Sequence, residues 1–125
     1  MRFLGIDYGT KNIGLALSDE QNRFSYPYRV LSNTSRAISL ITAICEREGV
    51  EKIVLGDSLN YQGVPNEIAA AIANFKEELA VMTGLSIILE PEVLTTAEAN
   101  RLIGADTKTD ARAAALILKS YLDHQ

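Results

Sequence analysis

Phe3-Leu4-Gly5-Ile6-Asp7-Tyr8-Gly9-Thr10-Lys11-Asn12-Ile13-Gly14-Leu15-Ala16-Leu17-Ser18 constrains the fold of this chain more than any other stretch. It reads as a short apolar strand, a glycine-containing turn and a second apolar strand, which must pair side by side and lie inside a sheet. The first strand carries Asp7 near its end. A carboxylate in an apolar strand costs free energy unless a cation, a metal or hydrogen-bond donors compensate it. Here the chain runs straight on into a turn, so the acid is expected at the mouth of a rigid sheet.

After a polar turn at Asp19-Glu20-Gln21-Asn22-Arg23, the segment Phe24-Ser25-Tyr26-Pro27-Tyr28-Arg29-Val30-Leu31 has strand-like aromatic and branched residues. Pro27 cannot donate to a ladder and makes this an edge strand. Asn33, Thr34 or Ser35 can cap the next segment, where Ile38, Ile41, Ile44 and Cys45 recur at helical spacing until Gly49. Lys52-Ile53-Val54-Leu55-Gly56 is a continuous apolar run, the pattern of a strand covered on both faces. The loop at Asp57–Gly63 leads to Pro65 and an alanine-rich helix to about Thr83, with Ile68, Ile72, Phe75 and Leu79 on one stripe. Leu85–Leu89 reads as a fifth strand. Thr95 with Glu98 fits a capping box for a short helix to Gly104, and Asp106–Asp110 opens a last helix whose body is Ala111–Leu122. Three meandering strands followed by helix, strand, helix, strand and terminal helices predict an α/β fold: a five-stranded mixed sheet with helices on both faces.

Composition limits the function classes. The 125 residues suit one domain over 1–125, and 47% hydrophobic content supplies a full core. Net charge is -4, which argues against a protein that coats nucleic acid through a global basic field but leaves a local basic rim open. Cys45 is the one cysteine and lies in an apolar helical run, so it reads as a small buried hydrophobe. With neither a signal-peptide pattern nor an apolar run long enough to span a bilayer, the chain reads as cytoplasmic.

Three acids stand where apolar neighbours are expected: Asp7, Glu92 just beyond the fifth strand, and Asp110 at the start of the last helix. Asp110 shares its helical stripe with Ala113, Ala114, Ile117, Leu118 and Tyr121, the face that must pack on the sheet. Each acid also has an ordinary reading. Asp110 suits a capping box with Thr107, Asp7 a hairpin turn, and Glu92 a solvated loop. Gathered at one sheet edge, three carboxylates would repel unless divalent cations neutralised them, and oxygen-only ligands select Mg²⁺ or Mn²⁺.

The motifs Leu4-Gly5-Ile6-Asp7-Tyr8-Gly9-Thr10-Lys11-x-x-Gly14-Leu15-Ala16, then Glu92-x-Leu94-Thr95-Thr96-x-x-Ala99, then Lys108-x-Asp110-Ala111-x-Ala113-Ala114-Ala115-Leu116-Ile117-Leu118 together resemble the YqgF (RuvX) family of Holliday junction resolvase-like proteins, also linked to trimming of pre-16S rRNA. The resemblance runs through nearly the whole chain. It implies a ribonuclease H-like fold and a metal-dependent phosphodiesterase, with Asp7, Glu92 and Asp110 as catalytic metal ligands. Two Mg²⁺ or Mn²⁺ ions ~3.5–4 Å apart would then drive in-line hydrolysis. Thr10, Lys11, Arg101, Lys108 and Arg112 flank the motifs and could meet a nucleic-acid backbone, pre-rRNA or branched DNA. A junction-cutting enzyme would be expected to act as a homodimer. The chain departs from the family where Asp-Glu-Arg becomes Pro91-Glu92-Val93, where Gly-Leu-Pro becomes Gly56-Asp57-Ser58, and where Asn12 follows Lys11.

Two other functions fit parts of the pattern. A module that keeps this fold could bind RNA or protein without cutting, which the missing arginine at Val93 makes credible. Asp7-Tyr8-Gly9-Thr10 also resembles the phosphate loop of the actin and sugar-kinase superfamily, whose two lobes need a longer chain. His124, next to the C-terminus, reads as a tail residue rather than a general base.

Overall fold

A computed structural model describes residues 2–57, 66–91 and 111–124. The first three strands are β1 (Arg2–Tyr8), β2 (Asn12–Ser18) and β3 (Ser25–Ser32), followed by α1 (Ala37–Glu48) and β4 (Val50–Asp57). After them come α2 (Asn66–Thr83), β5 (Ser86–Pro91) and a terminal helix, here α3 (Ala111–Asp123). The five strands form one sheet in the order β3-β2-β1-β4-β5. The pairs β1–β2 and β2–β3 are antiparallel, whereas β1–β4 and β4–β5 are parallel. This is the expected mixed sheet, with its first three strands as a meander and two parallel strands added beyond β1.

Strand periodicity divides the core in two. Leu4, Ile6, Ile13, Leu15, Leu17, Ile53 and Leu55 point to one face, where Ile41, Ile44 and Cys45 of α1 and Ile72, Phe75 and Leu79 of α2 cover them. Phe3, Ala16 and Val54 point to the other, under Ala114, Ile117 and Leu118 of α3. The α3 stripe expected from spacing is therefore the buried one, with Tyr121 partly buried beside it. Continuous burial of Ile53, Val54 and Leu55 follows from β4 lying between two strands and two helix layers. The side chain of Ile68, the loop at 58–65 and the helix expected near 95–104 lie outside the described residues and side chains.

β3 is an edge strand, as Pro27 requires, and its register with β2 shifts at Leu15/Ala16, opposite the proline. α1 ends at Gly49, whose φ of 68° is the left-handed cap conformation and whose N–H donates to the Cys45 carbonyl. The start of α1 differs from expectation. Its N-cap is Arg36, which makes no side-chain cap bond. Thr34 instead accepts the Arg36 N–H at its hydroxyl at 3.2 Å and the Ala37 N–H at its carbonyl at 3.0 Å. The Asn33 amide is unavailable for capping because the β1–β2 turn uses it. No described helix is long and apolar enough to cross a membrane.

Candidate functional site

Asp7 is the penultimate residue of β1 and is half-buried. Its neighbours on either side, Ile6 and Tyr8, belong to the α1/α2 face, where Tyr8 stacks on Phe75 with ring centroids 4.8 Å apart. Alternation puts Asp7 on the opposite face, under α3. That helix crosses β1 two residues earlier in the strand: a Cβ added to Gly5 would lie 2.8 Å from both the Ala114 carbonyl oxygen and the Leu118 Cβ. A glycine at position 5 lets the helix settle against the strand bearing Asp7.

The turn that follows is pinned from outside. Asn33, just beyond β3, donates its side-chain Nδ2 to the Gly9 carbonyl at 2.8 Å and its backbone N–H to the Lys11 carbonyl at 2.8 Å. Thr10 and Lys11 are exposed, and Arg112 is exposed in the first turn of α3. Of the residues expected to form the site, the structure therefore brings Asp7, Thr10 and Lys11 together at the C-terminal end of β1. Glu92, Arg101, Lys108 and Asp110 lie outside the described residues. Among the described residues, no three His, Cys, Asp or Glu side chains gather in a way that could hold a metal ion.

One acid near this edge escapes a reading of the sequence. Glu90, in β5, is only 3% exposed. Its Oε2 accepts from Ser120 Oγ at 2.8 Å and pairs with His124 Nε2 at 2.7 Å. Ile6 pairs with Leu55 and Gly56 with Glu90, so Asp7, Gly56 and Glu90 follow one another across the α3 face of the sheet. Two strand spacings separate the acids, roughly 10 Å. The bond to the Glu90 carboxylate, with its charge close by, raises the pKa of His124 above the ordinary imidazole value. His124 is thus more than a tail residue: it is an outer partner of a buried acid. The sequence holds a trace of this arrangement, because Ser120 and His124 are four residues apart on one helical face.

The sequence profile of the RuvX family, described as Holliday junction resolvase, matches residues 1–124. A protein of Desulforudis audaxviator named "Putative pre-16S rRNA nuclease" is 36% identical over 98% of this chain and 94% of its own length. One of the same name from Anaplasma marginale is 35% identical over 98% of this chain and 84% of its own. Among solved structures, RuvC of T. thermophilus in complex with a Holliday junction superposes with a TM-score of 0.62 at 14% identity, covering 96% of this chain and 90% of that one. The fowlpox virus resolvase bound to junction DNA gives 0.56 at 16% identity, over 98% and 97% of the two chains. These last two likenesses establish the ribonuclease H-like fold, and the profile match with the two closer relatives establishes more: the chain belongs to the RuvX (YqgF) family.

Proposed function

We propose that this chain is a nuclease that hydrolyses phosphodiester bonds in structured nucleic acid with the help of Mg²⁺ or Mn²⁺, and that its substrate is the 5′ precursor region of 16S rRNA. The observation that carries the reading is the 36% identity, over 98% of the chain, to a relative named for that activity. Asp7 supports it: a half-buried carboxylate at a strand end, beside an exposed turn bearing Thr10 and Lys11.

Asp7, Glu92 and Asp110 are the acids assigned to hold the ions, since hard oxygen donors suit Mg²⁺ and Mn²⁺. Bound there, the ions would supply an activated water and a counter-charge for the leaving oxygen. The chain's own side chains orient the substrate. Thr10 and Lys11, with Arg101, Lys108 and Arg112, are assigned to the nucleic-acid backbone. With so few cations, affinity should be modest and should fall with salt. The whole chain serves as one nuclease domain in this reading, and the cytoplasm is the compartment it implies.

The test is cleavage of a synthetic RNA spanning the 5′ boundary of 16S rRNA, with four-way DNA junctions in parallel reactions, in Mn²⁺ or Mg²⁺. Wild type should cut the RNA, and Asp7→Asn should lower the rate by ~10²-fold or more while binding persists. Cleavage of the junction alone would transfer the activity to DNA. Binding of RNA with no cleavage in either metal would make the chain a binding module.

A further inference from the structure

Asn33 lies in a Ser-Asn-Thr-Ser run ahead of α1, where an asparagine ordinarily caps a helix. Here it caps nothing, and both of its donors go to the turn after Asp7. The side-chain Nδ2 reaches the Gly9 carbonyl and the backbone N–H reaches the Lys11 carbonyl, each at 2.8 Å. The backbone bond extends the β2–β3 ladder one step past its last pair, Asn12 with Ser32. The side-chain bond belongs to no ladder, and it fixes one particular peptide plane.

That plane joins Gly9 to Thr10. No described peptide bond is cis, and in a trans peptide the C=O and the N–H point in opposite directions. Holding the Gly9 carbonyl towards Asn33 therefore turns the Thr10 N–H away from it, at a residue that is itself exposed. On an exposed turn so held, the Thr10 N–H, the Thr10 hydroxyl and the Lys11 ammonium would offer a short run of donors with one positive charge. Such a run suits a phosphate oxygen. Without the side-chain bond this peptide, preceded by a glycine, is free to rotate.

We infer that Asn33 is a positioning residue for substrate: it fixes the Gly9–Thr10 peptide so that Thr10 and Lys11 present their donors to a phosphate of the nucleic-acid backbone. The inference rests on the nuclease reading above, through the choice of ligand. Asn33 itself touches no substrate and carries no charge.

RNA affinity of this chain, measured across a salt series with the same precursor RNA, tests it. Asn33→Ala should weaken binding on the order of tenfold, and Lys11→Ala by a similar factor. In the Lys11→Ala background the loss of Asn33 should cost clearly less than it does in wild type, because the two changes share the Lys11 contact and only the Thr10 donors remain to be misplaced. Asn33→Ala should also lower the slope of log affinity against log salt by ~0.7, the value for one lost single-strand phosphate contact, although no charge is removed. Asn33→Leu, close in size but without a donor, should behave the same way, and every variant retains the backbone bond to Lys11. Failure of the wild type to bind the precursor RNA would sink the RNA-substrate reading and this role together. Wild-type binding with additive losses, or an unchanged salt slope in Asn33→Ala, would overturn the role of Asn33 alone.

Discussion

Gly5 of β1 and Leu118 of α3 are so close that a Cβ on Gly5 would stand 2.8 Å from the Leu118 Cβ, inside any real carbon–carbon contact. The second atom in the way is the Ala114 carbonyl oxygen, part of the helix backbone, so no side-chain rotation relieves the overlap. The helix would have to move off the strand that carries Asp7. Gly5→Ala should therefore destabilise the fold by about 1–3 kcal/mol in urea unfolding. It should also reduce cleavage, because the shifted helix overlies the strand of Asp7. A stability change below about 0.5 kcal/mol would mean that the helix yields without cost.

The pair Glu90–His124 should make stability depend on pH. The hydrogen bond to the Glu90 carboxylate, together with its charge, favours the protonated ring of His124 in the folded state, so its pKa there lies above the unfolded value. The stabilisation is complete below the unfolded imidazole pKa of 6.5 and is lost as pH rises through the higher folded value. His124→Ala should lower the melting temperature at about pH 5.5 and matter little at about pH 9. An equal loss at both pH values would show that the ring acts through packing alone.

Asp19 carries the hairpin between β2 and β3. Its carboxylate accepts the backbone N–H groups of Arg23 at 2.7 Å, Phe24 at 2.8 Å and Gln21 at 3.3 Å, and its own N–H donates to the Phe24 carbonyl at 3.1 Å. These bonds, the one from Phe24 most of all, lower its pKa from the model-compound value of 3.8. The contribution is present above that value and disappears as pH falls through the lower folded one. Asp19→Ala should be less stable than wild type at neutral pH, with the gap closing in acid. A gap that stays constant on acidification would count against the carboxylate.

Cys45 is buried in α1, and burial followed by the nearby charge of Glu46 pushes its thiol up to about 11. The thiolate is the reactive form, so the folded protein should react with a thiol reagent only through unfolding. In native buffer the reaction should be slower by orders of magnitude than in denaturant. Rapid native labelling would show that α1 opens locally.

How much of this was legible in advance depends on the range of the forces involved. Helix and strand periodicities are local, and they gave the five strands, the buried stripe of α3 and the edge position of β3, because burial acts on each element through its own spacing. Pro27 told where the sheet ends, since a residue without an N–H cannot be shared by two ladders. Asp7 stood out because it is a charge in an apolar strand.

Glu90 did not stand out, although it is more deeply buried than Asp7. Its partners Ser120 and His124 are 30 and 34 residues away, and only the crossing of α3 over β5 brings them to it. Asn33 carried the wrong local signal. Its amide could bond the nearest helix end or a turn 24 residues back, and the closing of β3 on β2 decided for the turn. The sequence by itself determined the described strands and helices, the faces they bury, the family and the acid at the strand end, because these follow from spacing along one segment. Tertiary structure alone decided which donors meet which acceptors, because a hydrogen bond requires two atoms to arrive within about 3 Å, and strand register and helix crossing set that distance.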